Sequence, residues 1–149
     1  MSPEAAEKHF HAWIAAIPPS AKRESLSELQ RTILLVYALE LEVCNGGIHQ
    51  YFINPAGDRW KETLVALKQM GATRISQILQ KALTVFPRSS PSTDHLTRDR
   101  QLRAIGREGE ALLEQLTNEY YGLYRECPEQ DAYRIISEFL LREQGLTNG

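Results

Sequence analysis

Apolar residues recur along most of this chain at three- and four-residue intervals, the spacing that lines one face of an α-helix. Ser2-Pro3-Glu4 supplies an N-cap, a proline at the first helical position and an acid in the first turn. A helix is therefore predicted from there to about Ile17, where Pro18-Pro19 stop it, with Phe10, Trp13, Ile14 and Ile17 on its apolar face. Ser25-Leu26-Ser27-Glu28 fits a capping box, and Leu26, Leu29, Ile33, Val36 and Tyr37 continue the helical register. Because Ile33 to Leu39 is apolar nearly all round, this second helix is expected to be central and buried.

Asn45-Gly46-Gly47 is expected to end that helix, since glycine takes the left-handed conformation that satisfies the last carbonyls. A short helix over about Ile48 to Ile53 follows, then an Asn54-Pro55-Ala56-Gly57 turn with Asp58 as N-cap of the next helix. Trp60, Leu64, Leu67 and Met70 form that helix's stripe, closed by Gly71, and a further helix spans about Thr73 to Phe86. Pro87 to Thr93 has the composition of an exposed loop. Beyond it, Leu102, Ile105, Gly109, Leu112, Leu116, Tyr120 and Leu123 predict one long helix of near-heptad spacing, ending near Cys127. Pro128-Glu129 opens a last helix carrying Tyr133, Ile136, Phe139 and Leu140, ended by Gly145. The fold class is all-α: a single-domain bundle of five to seven helices over residues 1–149.

Composition agrees with one folded core, at 42% hydrophobic and 24% charged residues. The longest apolar run, Ile33 to Leu39, is far short of the roughly 20 residues that cross a bilayer, and the acidic N-terminus does not resemble a secretory signal. No membrane association and cytoplasmic residence are expected, with Cys44 and Cys127 as free thiols. Net charge is only −2, yet unevenly placed. Residues 59–107 hold 10 Lys/Arg against 3 Asp/Glu, and residues 108–149 hold 3 against 9. Either basic and acidic helices neutralise one another, or one of them faces a partner.

Candidate chemistry concentrates in the segment Glu42 to Asn54. Glu42 shares a helical face with Asn45 and Gly46 where the chain turns, and Gln50 lies one turn from Asn54. One reading makes Glu42, Asn45, Gln50 and Asn54 internal caps that fix the angle between two helices. The other is a binding pocket of Glu42, Asn45, Gly46, Gly47, His49, Gln50 and Asn54, in which the glycines admit a ligand to the backbone, the helix start attracts an anion and His49 titrates. One Glu and one His without a nucleophile or metal partner assign no catalytic residue.

The pattern Glu42-x-x-Asn45-Gly46-Gly47-x-x-Gln50-Tyr51-Phe52-x-Asn54-x-x-Gly57, followed by an apolar helix through Ala66-Leu67 to Gly71-Ala72, resembles the signature of the DNA-mimic-protein-19-like family, a bacterial domain of unknown function. The resemblance covers about residues 26 to 86. It implies an all-helical domain, often a homodimer, and in one branch a protein whose carboxylates imitate DNA phosphates to occupy a transcription regulator. Here such acids would have to come from the C-terminal third, where Glu108, Glu110, Glu114, Glu119, Glu126, Glu129, Asp131, Glu138 and Glu143 lie.

Other chemistry finds little support. His9 and His11 are two apart on a helix and point away from one another, so no metal site is expected. Phosphate-loop, serine-hydrolase and zinc-protease motifs are missing, so no cofactor is expected. Arg98, Arg100, Arg103 and Arg107, with Arg74, Lys81 and Arg88, could bind nucleic acid, but aromatic stacking residues are not interleaved with them. The leading expectation is a non-enzymatic protein-interaction domain that engages a regulatory protein through acidic C-terminal helices. The alternatives are the Glu42 to Asn54 pocket, possible catalysis included, and nucleic-acid binding through residues 59–107.

Overall fold

Ser2 Oγ accepts from the Ala5 amide at 3.1 Å and Pro3 fills the first turn, so α1 (Pro3–Ala15) begins where the sequence signals it. The longest element, α2 (Glu28–Ile53), is capped by Ser27. The Gln30 amide donates to Ser27 Oγ at 3.0 Å and the Ser27 amide to Gln30 Oε1 at 2.8 Å. The capping box thus lies two residues later than Ser25 and Glu28 suggest, because Ser25 instead closes a 3-10 turn, its hydroxyl donating to the Lys22 carbonyl. The remaining helices are α3 (Trp60–Gln69), α4 (Thr73–Leu83), α5 (His95–Arg103), α6 (Gly106–Glu126) and α7 (Ala132–Glu143). This computed structural model describes residues 1–146; among them are seven α-helices and no strand, the all-α architecture expected. None of these helices is long and apolar enough to cross a membrane.

α2 is the hub, touching α3, α5, α6 and α7, while α1 packs on α7 and α4 on α3 and α6. Its Ile33, Val36, Leu39 and Val43 are buried in one continuous core, each contributing about 1.5–3 kcal/mol by leaving water. Phe10 ties α1 to this core through an edge contact with Tyr37, ring centroids 5.3 Å apart.

Local differences from the expected elements have identifiable causes. Asp58 does not cap α3; it lies in a 3-10 turn over Pro55–Arg59 and its carboxylate meets Arg98 at 3.0 Å. α4 stops at Leu83, and the Thr84 hydroxyl donates to the Lys81 carbonyl at 2.6 Å, although Phe86 is still buried. The loop after it is not wholly exposed: Pro91 is buried and its carbonyl accepts the Trp60 indole N–H at 3.0 Å. The single long helix is broken, because Gly106 takes a left-handed φ of 75° and separates α5 from α6. After the break, Gly109, Leu113, Leu116, Tyr120 and Leu123 face inward, so Leu113 rather than Leu112 holds the core position.

Candidate functional site

The paired glycines interrupt the helix as expected: both are non-helical, the chain turns there, and a short helical segment follows from Ile48 to Ile53, so α2 is two helices joined across a kink. Gly46 has φ −158° and ψ 21°; Gly47 has φ 79° and ψ −176°, a region open essentially to glycine alone. A Cβ on Gly47 would also lie 3.1 Å from Thr117 Oγ1. Such a bend leaves a carbonyl unpaired before it and an amide unpaired after it. α6 supplies both partners. The Tyr121 hydroxyl donates to the Val43 carbonyl at 2.5 Å, and the Ile48 amide donates to Thr117 Oγ1 at 3.0 Å while the Thr117 hydroxyl donates to the Leu113 carbonyl at 2.8 Å.

Beyond the bend, Asn54 Nδ2 donates to Glu42 Oε2 at 2.7 Å, so the two ends of the segment are joined by one side-chain bond. The carbonyls at the end of α2 are received by Arg98, which is fully buried. Its Nε donates to Phe52 O at 2.6 Å, Nη2 to Asn54 O at 2.8 Å and Nη1 to Ser92 O at 2.9 Å, while Asp58 balances its charge. A cation at a helix C-terminus also complements the helix dipole. Gly57 completes the cradle, since a Cβ there would stand 2.6 Å from the Tyr51 carbonyl and 2.9 Å from Arg98 Nη2.

The candidate site residues are therefore divided. Gly46, Gly47 and His49 line a shallow depression of about 370 Å³ with Glu110, Leu113, Glu114, Thr117 and Tyr121. His49 Nε2 is 3.4 Å from Glu110 Oε1. Glu42 and Asn54 are joined to each other and do not line it. Asn45 is exposed, and Gln50 folds over Gly46, its Oε1 2.7 Å from where a Cβ would stand.

Two sets of residues escape the sequence-level reading. Arg98, grouped there with surface arginines, is the buried clamp just described; the available signal is its position four residues before the buried Leu102, on α5's inward face. The second set centres on Glu40, which is 5% exposed and accepts from the Tyr120 hydroxyl and, at 3.2 Å, from the Cys44 thiol. Burial raises the Glu40 carboxyl above its usual range, partly offset by these hydrogen bonds. Burial of the sulfur, with Glu40 beside it, pushes the Cys44 thiol up to about 12, so it is protonated at neutral pH. Tyr120 is raised by burial and by the Glu40 charge and acts as a donor. Glu40 sits four residues after Val36 and three before Val43, an acid on the helix's core-facing stripe, which is the signal for it.

Among the described residues no group of three His, Cys, Asp or Glu side chains is placed to hold a metal ion. Of the cations considered for nucleic acid, Arg98 is buried and Arg103 pairs with Asp99 at 3.1 Å.

Fold and bend together define an all-α domain organised around a glycine-kinked central helix clamped from α5 and α6. Residues 24–142 match the DMP19-like protein family, and the chain belongs to it. No curated protein and no solved structure matches the chain.

Proposed function

We propose that this chain is a non-enzymatic, cytoplasmic protein-interaction domain that engages a regulatory protein through the acidic surface of α6. One observation carries the reading: Glu108, Glu110, Glu114, Glu119 and Glu126 have no Lys or Arg ion-pair partner among the described residues, Glu110 meeting only His49. Those acids lie on two flanks of α6, Glu110 and Glu114 on one and Glu108, Glu119 and Glu126 on the other, and such unpaired charge attracts a basic partner. Capture from lysate with identification by mass spectrometry tests it. Glu110→Lys with Glu114→Lys should remove a partner held by the wild type and released by salt. Unchanged capture by the doubly reversed variant overturns the reading.

The depression at Gly46, Gly47 and His49 favours a second reading, a small-molecule or peptide site. His49→Ala should then abolish ligand binding with the melting temperature unchanged. A thermal-shift ligand screen in which His49→Ala responds like the wild type counts against it.

A further inference from the structure

One face of the central helix is left uncovered. On α2, Ile33, Val36, Leu39, Glu40 and Val43 are buried, while Leu34, Ala38 and Leu41 recur at four- and three-residue spacing on the other side. Leu41 is 47% exposed, Leu34 and Ala38 are partly exposed, and the three stand outside both the core and the apolar residues packed against it. We propose that this face pairs with the same face of a second copy of the chain, the two α2 helices running antiparallel about a two-fold axis beside Ala38. The proposal does not rest on the acidic-surface reading.

The residues of the face are arranged for that partner. Leu34 and Leu41 lie about two turns apart on one flank, Arg31 and Glu42 about three turns apart on the other, and Ala38 lies between the flanks near the middle of both pairs. A two-fold axis perpendicular to the helices keeps each flank on its own side and reverses the direction of the chain. Leu34 therefore meets Leu41 of the second copy, and on the opposite flank Arg31 meets Glu42 of the second copy. Neither charge has an ion-pair partner within the chain among the described residues. Arg31 Nη1 donates to the Leu26 carbonyl at 2.7 Å and leaves the rest of its guanidinium over, while Glu42 Oε2 accepts from Asn54 and leaves Oε1 over. A parallel pair would instead set Arg31 level with Arg31 and Glu42 level with Glu42, like charge against like.

Ala38 at the crossing point completes the fit, because a side chain of one methyl group lets two helices approach closely enough for the leucines on the flank to touch. The pairing stops where the glycine joint turns the chain, so it uses the part of α2 before Gly46. Apolar burial supplies the affinity, and the two Arg–Glu pairs at the rim fix direction and register. A single helix pair is a small interface, so the dimer should form with a dissociation constant of about 1–100 µM.

Analytical ultracentrifugation from about 1 to about 200 µM tests it, a span that brackets such an affinity. The wild type should pass from monomer to dimer and go no further, since a two-fold contact closes on itself. Leu41→Glu, at an exposed position and expected to melt like the wild type, should raise the dissociation constant about tenfold or more by setting a carboxylate against leucine. Val65→Glu, which alters an apolar side chain 59% exposed on α3 and outside the face, should change it by less than about twofold. Cross-linking reads the direction of the helices. With Cys44→Ser and Cys127→Ser in both, a Leu34→Cys protein mixed with a tagged Leu41→Cys protein and a short bis-maleimide should link one to the other in preference to either with itself. A monomer at every concentration overturns the proposal, and the face then receives a different partner or none. A dimer that Leu41→Glu leaves intact, or that Val65→Glu weakens equally, overturns it by placing the interface elsewhere, and links of each protein only to itself overturn the antiparallel pairing. Partner capture by the Glu110→Lys, Glu114→Lys protein decides the acidic-surface reading separately.

Discussion

Arg98 shows what one residue does when its fork is matched to backbone geometry. A lysine could keep the charge but not reach Phe52, Asn54 and Ser92 together. Arg98→Met leaves those carbonyls without their donor and Asp58 with only His95, 3.6 Å away, and urea unfolding should lose about 3 kcal/mol or more; a loss below about 1 kcal/mol would contradict the clamp. Glu40 makes a different prediction, through pH. Its folded carboxyl titrates above the unfolded value of 4.5 because burial disfavours the charge. As pH rises past that value the unfolded chain ionises before the folded one, so this group removes stability as pH rises. Asp131, raised for the same reason, acts in the same sense. Glu40→Gln should therefore flatten the decline in unfolding free energy as pH rises above the unfolded value of 4.5. An unchanged slope would show that Glu40 titrates alike in both states. Neither role was legible beforehand. Sequence displays a charge and its period, and Arg98 meets Asn54 O only through a contact spanning 44 positions.

At the scale of elements, caps and glycines marked α1, the restart of α2, and the ends of α3 and α7 correctly because those signals act within a few residues. The break before α6 was missed because Leu102 and Ile105 continue the apolar spacing across Gly106, so periodicity outvoted a single glycine. The bend in α2 was half-legible. Gly46-Gly47 announced an interruption, but not that Tyr121 and Thr117, some seventy residues downstream, would receive its orphaned groups. That division of labour can be tested. Thr117→Val removes the acceptor for the Ile48 amide at nearly constant volume and should cost about 1–3 kcal/mol. Amide hydrogen exchange should rise at Ile48 itself, and exchange there at the wild-type rate would mean that the amide has another partner.

Across the whole molecule, the glycine motif belongs to the framework of the fold. Glu42, Gly47, Asn54 and Gly57 shape the path of α2, and α2 packs on α3, α5, α6 and α7, so the bend sets how those helices meet. Glu108, Glu110, Glu114 and Glu126 of α6 are exposed and stand outside this framework. The central claim is that the Gly47 conformation holds the core as one unit. Equilibrium urea unfolding of Gly47→Ala tests it most directly. A non-glycine residue in that backbone region costs about 1–3 kcal/mol, and crowding against Thr117 adds to it, so the unfolding free energy should fall by at least about 2 kcal/mol, seen as a lower midpoint at unchanged slope. A variant within about 0.5 kcal/mol of the wild type, with the same slope, would contradict the account.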